Sequence, residues 1–209
     1  MSPEESALLD ALRRGDEDAF ARLVGQHQAS LRRLARLYVA NAAIADEVVQ
    51  DTWLAVIQGL WAFEGRSSLK TWIYRILVNR ARTRAGRESR GSRLIGALST
   101  ETGAASESPD ASGVDRATQL PAGPDSSPER SLLTKELRKR LEAVIDELPS
   151  NLRTVLWLRD VEGWSSEEVC NVLAIEETNQ RVILHRARLR ARAALEPYLE
   201  GARGAARRE

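Results

Sequence analysis

The chain has a single cysteine, Cys170, among its 209 residues, so it can form no intrachain disulfide and no cysteine-rich metal site. Histidine is almost as scarce. His27 and His185 stand far apart with no carboxylate cluster spaced for a metal, so neither metal nor cofactor is expected. Aromatic residues make up 5%, five of them tryptophan, and each therefore has to be weighed between core and recognition roles. No apolar run approaches the roughly 18 residues of a membrane span, and the acidic start, Met1 to Glu5, has no signal-peptide character. A cytoplasmic protein without membrane insertion is the expectation. Phosphate loops and acid–base pairs are also missing, and an enzyme is not expected.

An excess of either charge is also lacking: 31 Lys and Arg face 30 Asp and Glu, a net of +1. The balance hides segregation. Residues 65–95 carry Arg66, Lys70, Arg75, Arg80, Arg82, Arg84, Arg87, Arg90 and Arg93 against Glu88 alone, a net of +8. Residues 181–209 reach +5, and the segments 1–64, 96–130 and 131–180 are −4 each. Clustered arginine rather than total charge is the electrostatic footprint of a phosphate backbone. A solvated helix face explains one basic run equally well, but two runs, each ending a helical domain, favour nucleic acid.

Periodicity is helical throughout. Phe20, Leu23, Val24, Leu31, Leu34 and Tyr38 keep the i, i+3, i+4 spacing of one helix, and Val49, Trp53, Val56, Ile57 and Leu60 that of a second over 44–60. A third follows Ser67-Ser68, carrying Leu69, Trp72, Ile73, Ile76 and Leu77 before turning polar at Asn79. From residue 86 to 130, Gly, Ser, Pro, Ala and acidic residues dominate, a composition that buries too little surface to offset ordering. Helical spacing returns at Leu133, Leu137, Leu141, Val144, Ile145 and Leu148. A short helix over 152–159 and a pair over 165–173 and 178–198 follow. Ser165-Ser166-Glu167-Glu168 reads as a capping box, and a short helix, tight turn and longer Arg-rich helix form a helix-turn-helix pattern. The expected fold is all-α: two small helical domains, 16–86 and 131–200, joined by a flexible linker, 87–130.

Two segments carry a family resemblance. Asp46-Glu47-Val48-Val49-Gln50-Asp51-Thr52-Trp53, with Phe63 and Ser68-Leu69-Lys70-Thr71-Trp72-Ile73-Tyr74-Arg75-Ile76, resembles region 2 of bacterial RNA polymerase sigma factors. Leu148-Pro149, Leu158-Arg159-Asp160-Val161-Glu162-Gly163-Trp164-Ser165 and Leu184-His185-Arg186-Ala187-Arg188 resemble region 4. Size and the bare linker are similar to the extracytoplasmic-function (ECF) group, and only residues 1–15, the linker and the tail after about 200 lie outside the resemblance.

The resemblance implies that region 2 binds the polymerase core, its β′ and β subunits, through the acidic helix holding Asp46, Glu47, Gln50, Asp51 and Trp53. Helix-dipole complementarity explains Asp46 and Glu47 about equally well, and core packing is the stronger reading of Trp53. It further implies that the same domain melts and reads the −10 element, with loop 61–68 (Phe63, Arg66 and Ser68 among its residues) as the pocket for an unstacked base. Lys70, Arg75, Arg80, Arg82 and Arg84 would carry the strand's phosphates, with Asn79 placed to contact a base. Trp72 shares the apolar stripe and reads as core, whereas Tyr74 points away from it and is the expected stacking residue.

Region 4 would read −35 duplex by laying its second helix in the major groove. Ser165, Thr178, Asn179, Arg181 and Val182 would lie at the groove, and His185, Arg186 and Arg188 would reach phosphates. Gln180 falls at a usually apolar position and Ile183 where a groove-facing Arg is common. Ile183 then either shares the core or touches a thymine methyl. Cys170, between apolar residues, reads as a buried inert thiol. The partners implied are core RNA polymerase, promoter DNA and an anti-sigma protein. A stand-alone helix-turn-helix regulator would account for residues 131–199 but leaves the acidic helix and the first basic stripe unexplained. An all-α adaptor accounts for neither basic run.

Overall fold

A computed structural model describes residues 3–99, 143–145 and 147–205. Every regular element among these is helical. Helix α1 spans Pro3–Arg13, α2 Glu17–Arg36, α3 Ala42–Gly59 and α4 Leu69–Ser99, with a 3-10 turn at Leu60–Ala62 between the last two. In the second half α5 spans Ser150–Leu156, α6 Ser166–Leu173 and α7 Glu177–Ala205. A wide π-type turn, Trp157–Val161, follows α5, so the helix expected over 152–159 changes pitch midway.

Local chemistry sets the helix starts. Asp16 accepts from Ala19 N–H at the head of α2, and Asn41 from Ala43 N–H at the head of α3. Ser68 accepts from Thr71 N–H at the head of α4. Each satisfies a backbone donor that the helix cannot pair itself. The capping box at α6 is complete: Glu168 N–H donates to Ser165 Oγ, and Ser165 N–H donates to the Glu168 carboxylate at 2.8 Å.

In the first half α2, α3 and α4 bury Leu23, Leu31, Leu34, Val49, Val56, Ile73 and Leu77 as one core, on which α1 lays Leu9 and Leu12. Helix α1 lies before the helices that the apolar spacing predicts. In the second half Leu152, Val155, Leu158, Val169, Val172, Leu184 and Ala187 form the core between α5, α6 and α7.

Helix α4 continues past residue 86 to Ser99, so the first part of the expected linker, with Leu94, Ile95 and Leu98, lies on helical backbone. Arg, Glu, Ala and Leu there are helix formers, Arg84 and Glu88 pair one turn apart, and the next proline is Pro109. The rest of the expected linker, and the periodicity at Leu133, Leu137 and Leu141, fall outside the described residues. The two halves also touch, with α6 packed against α4. Both outcomes bear directly on the functional face.

Candidate nucleic-acid interface

Helices α3 and α4 lie side by side and hold charges of opposite sign. Glu47, Gln50 and Asp51 are exposed along α3, and Asp46 is half-exposed. Three of the four carboxylate and amide groups have internal cationic partners: Asp46 with Arg32 at 2.6 Å, Glu47 with Arg84 at 3.0 Å and Asp51 with Arg80 at 3.8 Å. A groove between the helices, about 440 Å³, is lined by Glu47, Asp51, Asn79, Arg80, Thr83 and Arg84 among others. Beyond the acidic residues α3 exposes Leu54 and Ile57, an apolar continuation of the same face. Trp53 instead is buried: its ring meets Phe20 edge-on at 5.7 Å and its Nε1 donates to Gln28. Core packing is thus its role within the chain.

The basic face divides in two. Arg75, Asn79 and Arg82 are exposed, and Arg80 is half-exposed. Lys70 sits over the Trp164 ring at 3.9 Å, so the second domain covers the start of α4, and further along the exposed Arg82 donates to the Leu173 carbonyl at 3.4 Å.

Tyr74 needs correction as an exposed stacking residue. It is 1% exposed, its ring 4.7 Å from Trp164 and edge-on to His27 at 5.9 Å. Its phenol is pushed up to about 12, chiefly by burial, with the Ser30 hydrogen bond opposing, Glu162 adding to the rise and Arg33 opposing it least. The physical reason is a second burial face: Tyr74 does point away from the stripe of Leu69 and Ile76, but toward a neighbouring domain rather than water. His27 beneath it is held below its ordinary value by burial and by Lys70.

Loop 61–68 also sorts its residues. Phe63 turns inward, 4.9 Å from the Trp72 ring, so its side chain belongs to the core. Trp72 is only half-buried. Glu64 and Arg66 are exposed and pair with each other, and Gly65 takes φ +70°, a backbone conformation that favours glycine. Ser68 is occupied as the α4 cap, its Oγ 2.8 Å from Thr71 Oγ1. The aromatic that the loop presents to solvent is Trp61, 73% exposed. Trp61 belongs to the loop marked out in the sequence, where nothing in the local spacing says which of its aromatics faces solvent.

On α7, Thr178, Asn179, Arg181, Val182, His185, Arg186 and Arg188 are all exposed, and Ser165 caps α6 at one end of the same unit. Arg181 pairs with Glu177 one turn earlier, and Arg188 forms a two-point pair with Asp160 at 2.6 and 2.9 Å. Gln180 resolves inward: it is 1% exposed, and its Oε1 accepts from Ser166 Oγ at 3.0 Å. Ile183 is half-buried against the core, the first of its two readings. Cys170 is half-buried rather than buried, and its thiol is pushed up by burial and by Glu177, which disfavours the reactive thiolate.

Fold and surface together define a class, a two-domain helical protein with a helix-turn-helix in its second domain and opposed acidic and basic faces in its first. Residues 23–91 match the family model "Sigma-70 region 2" and residues 138–190 match "Sigma-70, region 4". The RNA polymerase sigma-H factor of Pseudomonas aeruginosa is 31% identical over 199 residues, covering 95% of this chain and 97% of that one. The ECF RNA polymerase sigma-E factor of Haemophilus influenzae is 30% identical, covering 88% and 91%. Among solved structures, CnrH in complex with the cytosolic domain of CnrY has the same fold, with a TM-score of 0.60 at 22% identity over 92% of this chain and 97% of that one. RpoE of Bartonella quintana, in complex with the anti-sigma factor NepR, aligns with a TM-score of 0.54 at 21% identity, over 85% and 96%.

The chain belongs to the sigma-70 family, in its ECF group, and acts in promoter-specific transcription initiation through RNA polymerase. A stand-alone regulator is not favoured, because region 2 occupies the half that such a regulator leaves unexplained.

Proposed function

We propose a division of labour between the faces described. The α3 face, Asp46, Glu47, Gln50 and Asp51 with Leu54 and Ile57 beyond, docks on the polymerase core. Its carboxylates suit a basic partner and give mainly on-rate and register. The α4 face, Arg75, Asn79, Arg80 and Arg82, tracks the −10 strand, and loop 61–68 holds an unstacked base with Trp61 and Arg66 as its exposed groups. Helix α7 enters the major groove at −35 through Thr178, Asn179, Arg181 and Val182, while His185, Arg186 and Arg188 face phosphates. Asn and Arg at such positions each supply roughly 1–3 kcal/mol of base discrimination. The protein performs no catalytic step of its own and works in the cytoplasm, where its polymerase is.

The observation that carries this reading is segregation: acidic and apolar groups are exposed on α3, basic groups on α4 and α7. Lys70 and Tyr74 lie against Trp164 of the second domain, so DNA reaches that end of α4 only when the domains part. Two structural neighbours are sigma factors held by another protein, and an anti-sigma partner that stabilises an inactive arrangement is proposed here too.

Run-off transcription with purified core polymerase tests the whole. Promoter-dependent transcripts should require this chain, and their absence from every genomic template would sink the reading. Arg80→Ala with Arg82→Ala should reduce open-complex formation and spare −35 duplex binding. Equal loss in both assays would contradict the division.

A further inference from the structure

We infer that the amino-terminal helix α1 positions the base-reading loop, with Arg13 as the positioning residue. The inference rests on the −10 reading of loop 61–68 proposed above, and it concerns a helix that precedes the first residue of the region 2 match.

Helix α1 is fixed to the domain by apolar packing, since Leu9 and Leu12 are buried in the common core. Gly15, at φ +80°, turns the chain into the Asp16-capped start of α2. From this anchored helix two side chains reach the ends of the loop across 47 to 64 residues of sequence. Arg13 Nε donates to the Leu60 carbonyl at 3.2 Å, and Arg13 Nη2 donates to the Phe63 carbonyl at 2.8 Å. Glu5 accepts from Leu69 N–H, where α4 begins.

One guanidinium thus ties the carbonyls on either side of Trp61-Ala62, and one carboxylate ties the loop's exit. A guanidinium presents its donors in a rigid fork, so both carbonyls are held in a fixed relation, which a lysine ammonium cannot reproduce. Between the ties lie the loop's exposed groups, Trp61, Glu64 and Arg66. The side chain that would otherwise swing, Phe63, is turned onto Trp72. A base entering such a loop meets a preformed site and bears little ordering cost, which is how preorganisation converts contact into discrimination.

The experiment uses holoenzyme assembled from core polymerase and the full chain, and a promoter set carrying each single substitution across the −10 element. Rates of open-complex formation give a discrimination ratio for each base. In Arg13→Ala the ratio at the loop-read base should fall at least about fivefold, the low end of what one mismatch costs. Affinities for core and for −35 duplex should stay at wild-type values. Arg13→Lys should restore the ratio only in part. A uniform loss across all templates, or an unchanged ratio, would overturn the proposal. Should Arg13→Ala fail to fold, Arg13→Gln takes its place, and a wild-type ratio in that folded variant overturns the proposal equally. Trp61→Ala with Arg66→Ala, measured in parallel, separates the two readings. Unchanged discrimination there removes the loop's −10 role itself, whereas altered discrimination there with none in Arg13→Ala removes only the clamp.

Discussion

Single residues show where a local rule is broken and what it costs. Ala174 takes φ +54° in the turn between α6 and α7, a left-handed conformation that L residues adopt at a cost of roughly 1–2 kcal/mol. Its N–H still closes the end of α6 on the Cys170 carbonyl. Glycine there would relieve the strain while adding unfolded-state entropy of about 0.4–1 kcal/mol. Ala174→Gly is therefore expected to stabilise the protein by up to about 1 kcal/mol, read as a higher melting temperature. A lower one would mean that the turn is not strained. In the sequence this residue was only part of a tight connection, since handedness is a backbone property that composition does not carry. Tyr74 teaches a similar lesson. The helical wheel correctly took it off the core stripe, but what lies on the other side of a helix is not written in its own period.

At the level of elements, caps and periodicity located most helices, because both depend on neighbours within a turn or two of chain. The capping box at Ser165 and the α3 and α7 spans are of this kind. Gln180 is the exception that only packing explains. Buried between α6 and α7, it spends its carbonyl on Ser166, yet its Nε2 finds no partner in the structure. An unsatisfied buried amide costs about 1–3 kcal/mol, more than one neutral hydrogen bond returns. Gln180→Leu should therefore stabilise the second domain by about 1 kcal/mol in chemical denaturation, since Ser166 is half-exposed and can turn to water. Destabilisation by more than that would show that the Ser166 bond, rather than apolar filling, sets the helix crossing. Element α1 was missed altogether, because eleven residues with two leucines facing the core make a weak periodic signal.

For the whole molecule, the arrangement of domains governs which faces are available. Ser30 donates to both carboxylate oxygens of Glu162 at 2.9 and 3.1 Å, Trp164 lies against Tyr74 and Lys70, and Arg82 reaches Leu173. Ser30→Arg would place a long charged side chain in this contact while leaving every proposed DNA residue intact. The variant should scatter X-rays as a more extended particle. It should also bind a −10 single strand more tightly without polymerase, about tenfold if the closed form makes up about nine-tenths of the wild type. An unchanged radius of gyration would show that the contact tolerates the insertion. An extended particle with unchanged strand affinity would show that the covered end of α4 is not where DNA binds.

The sequence by itself determined the helical class, the two units, the segregated charge and the family. Each of these is written in local spacing or in motifs that survive without any knowledge of what packs on what. The tertiary structure alone decided which side of α4 is open, that Tyr74 and Phe63 serve packing, that Trp61 faces water, and that α1 holds the loop. These depend on contacts between residues tens to more than a hundred positions apart, such as Arg13 with Phe63 and Ser30 with Glu162. No periodicity within a single helix encodes them, because burial on a helix's second face is set by the partner that arrives there.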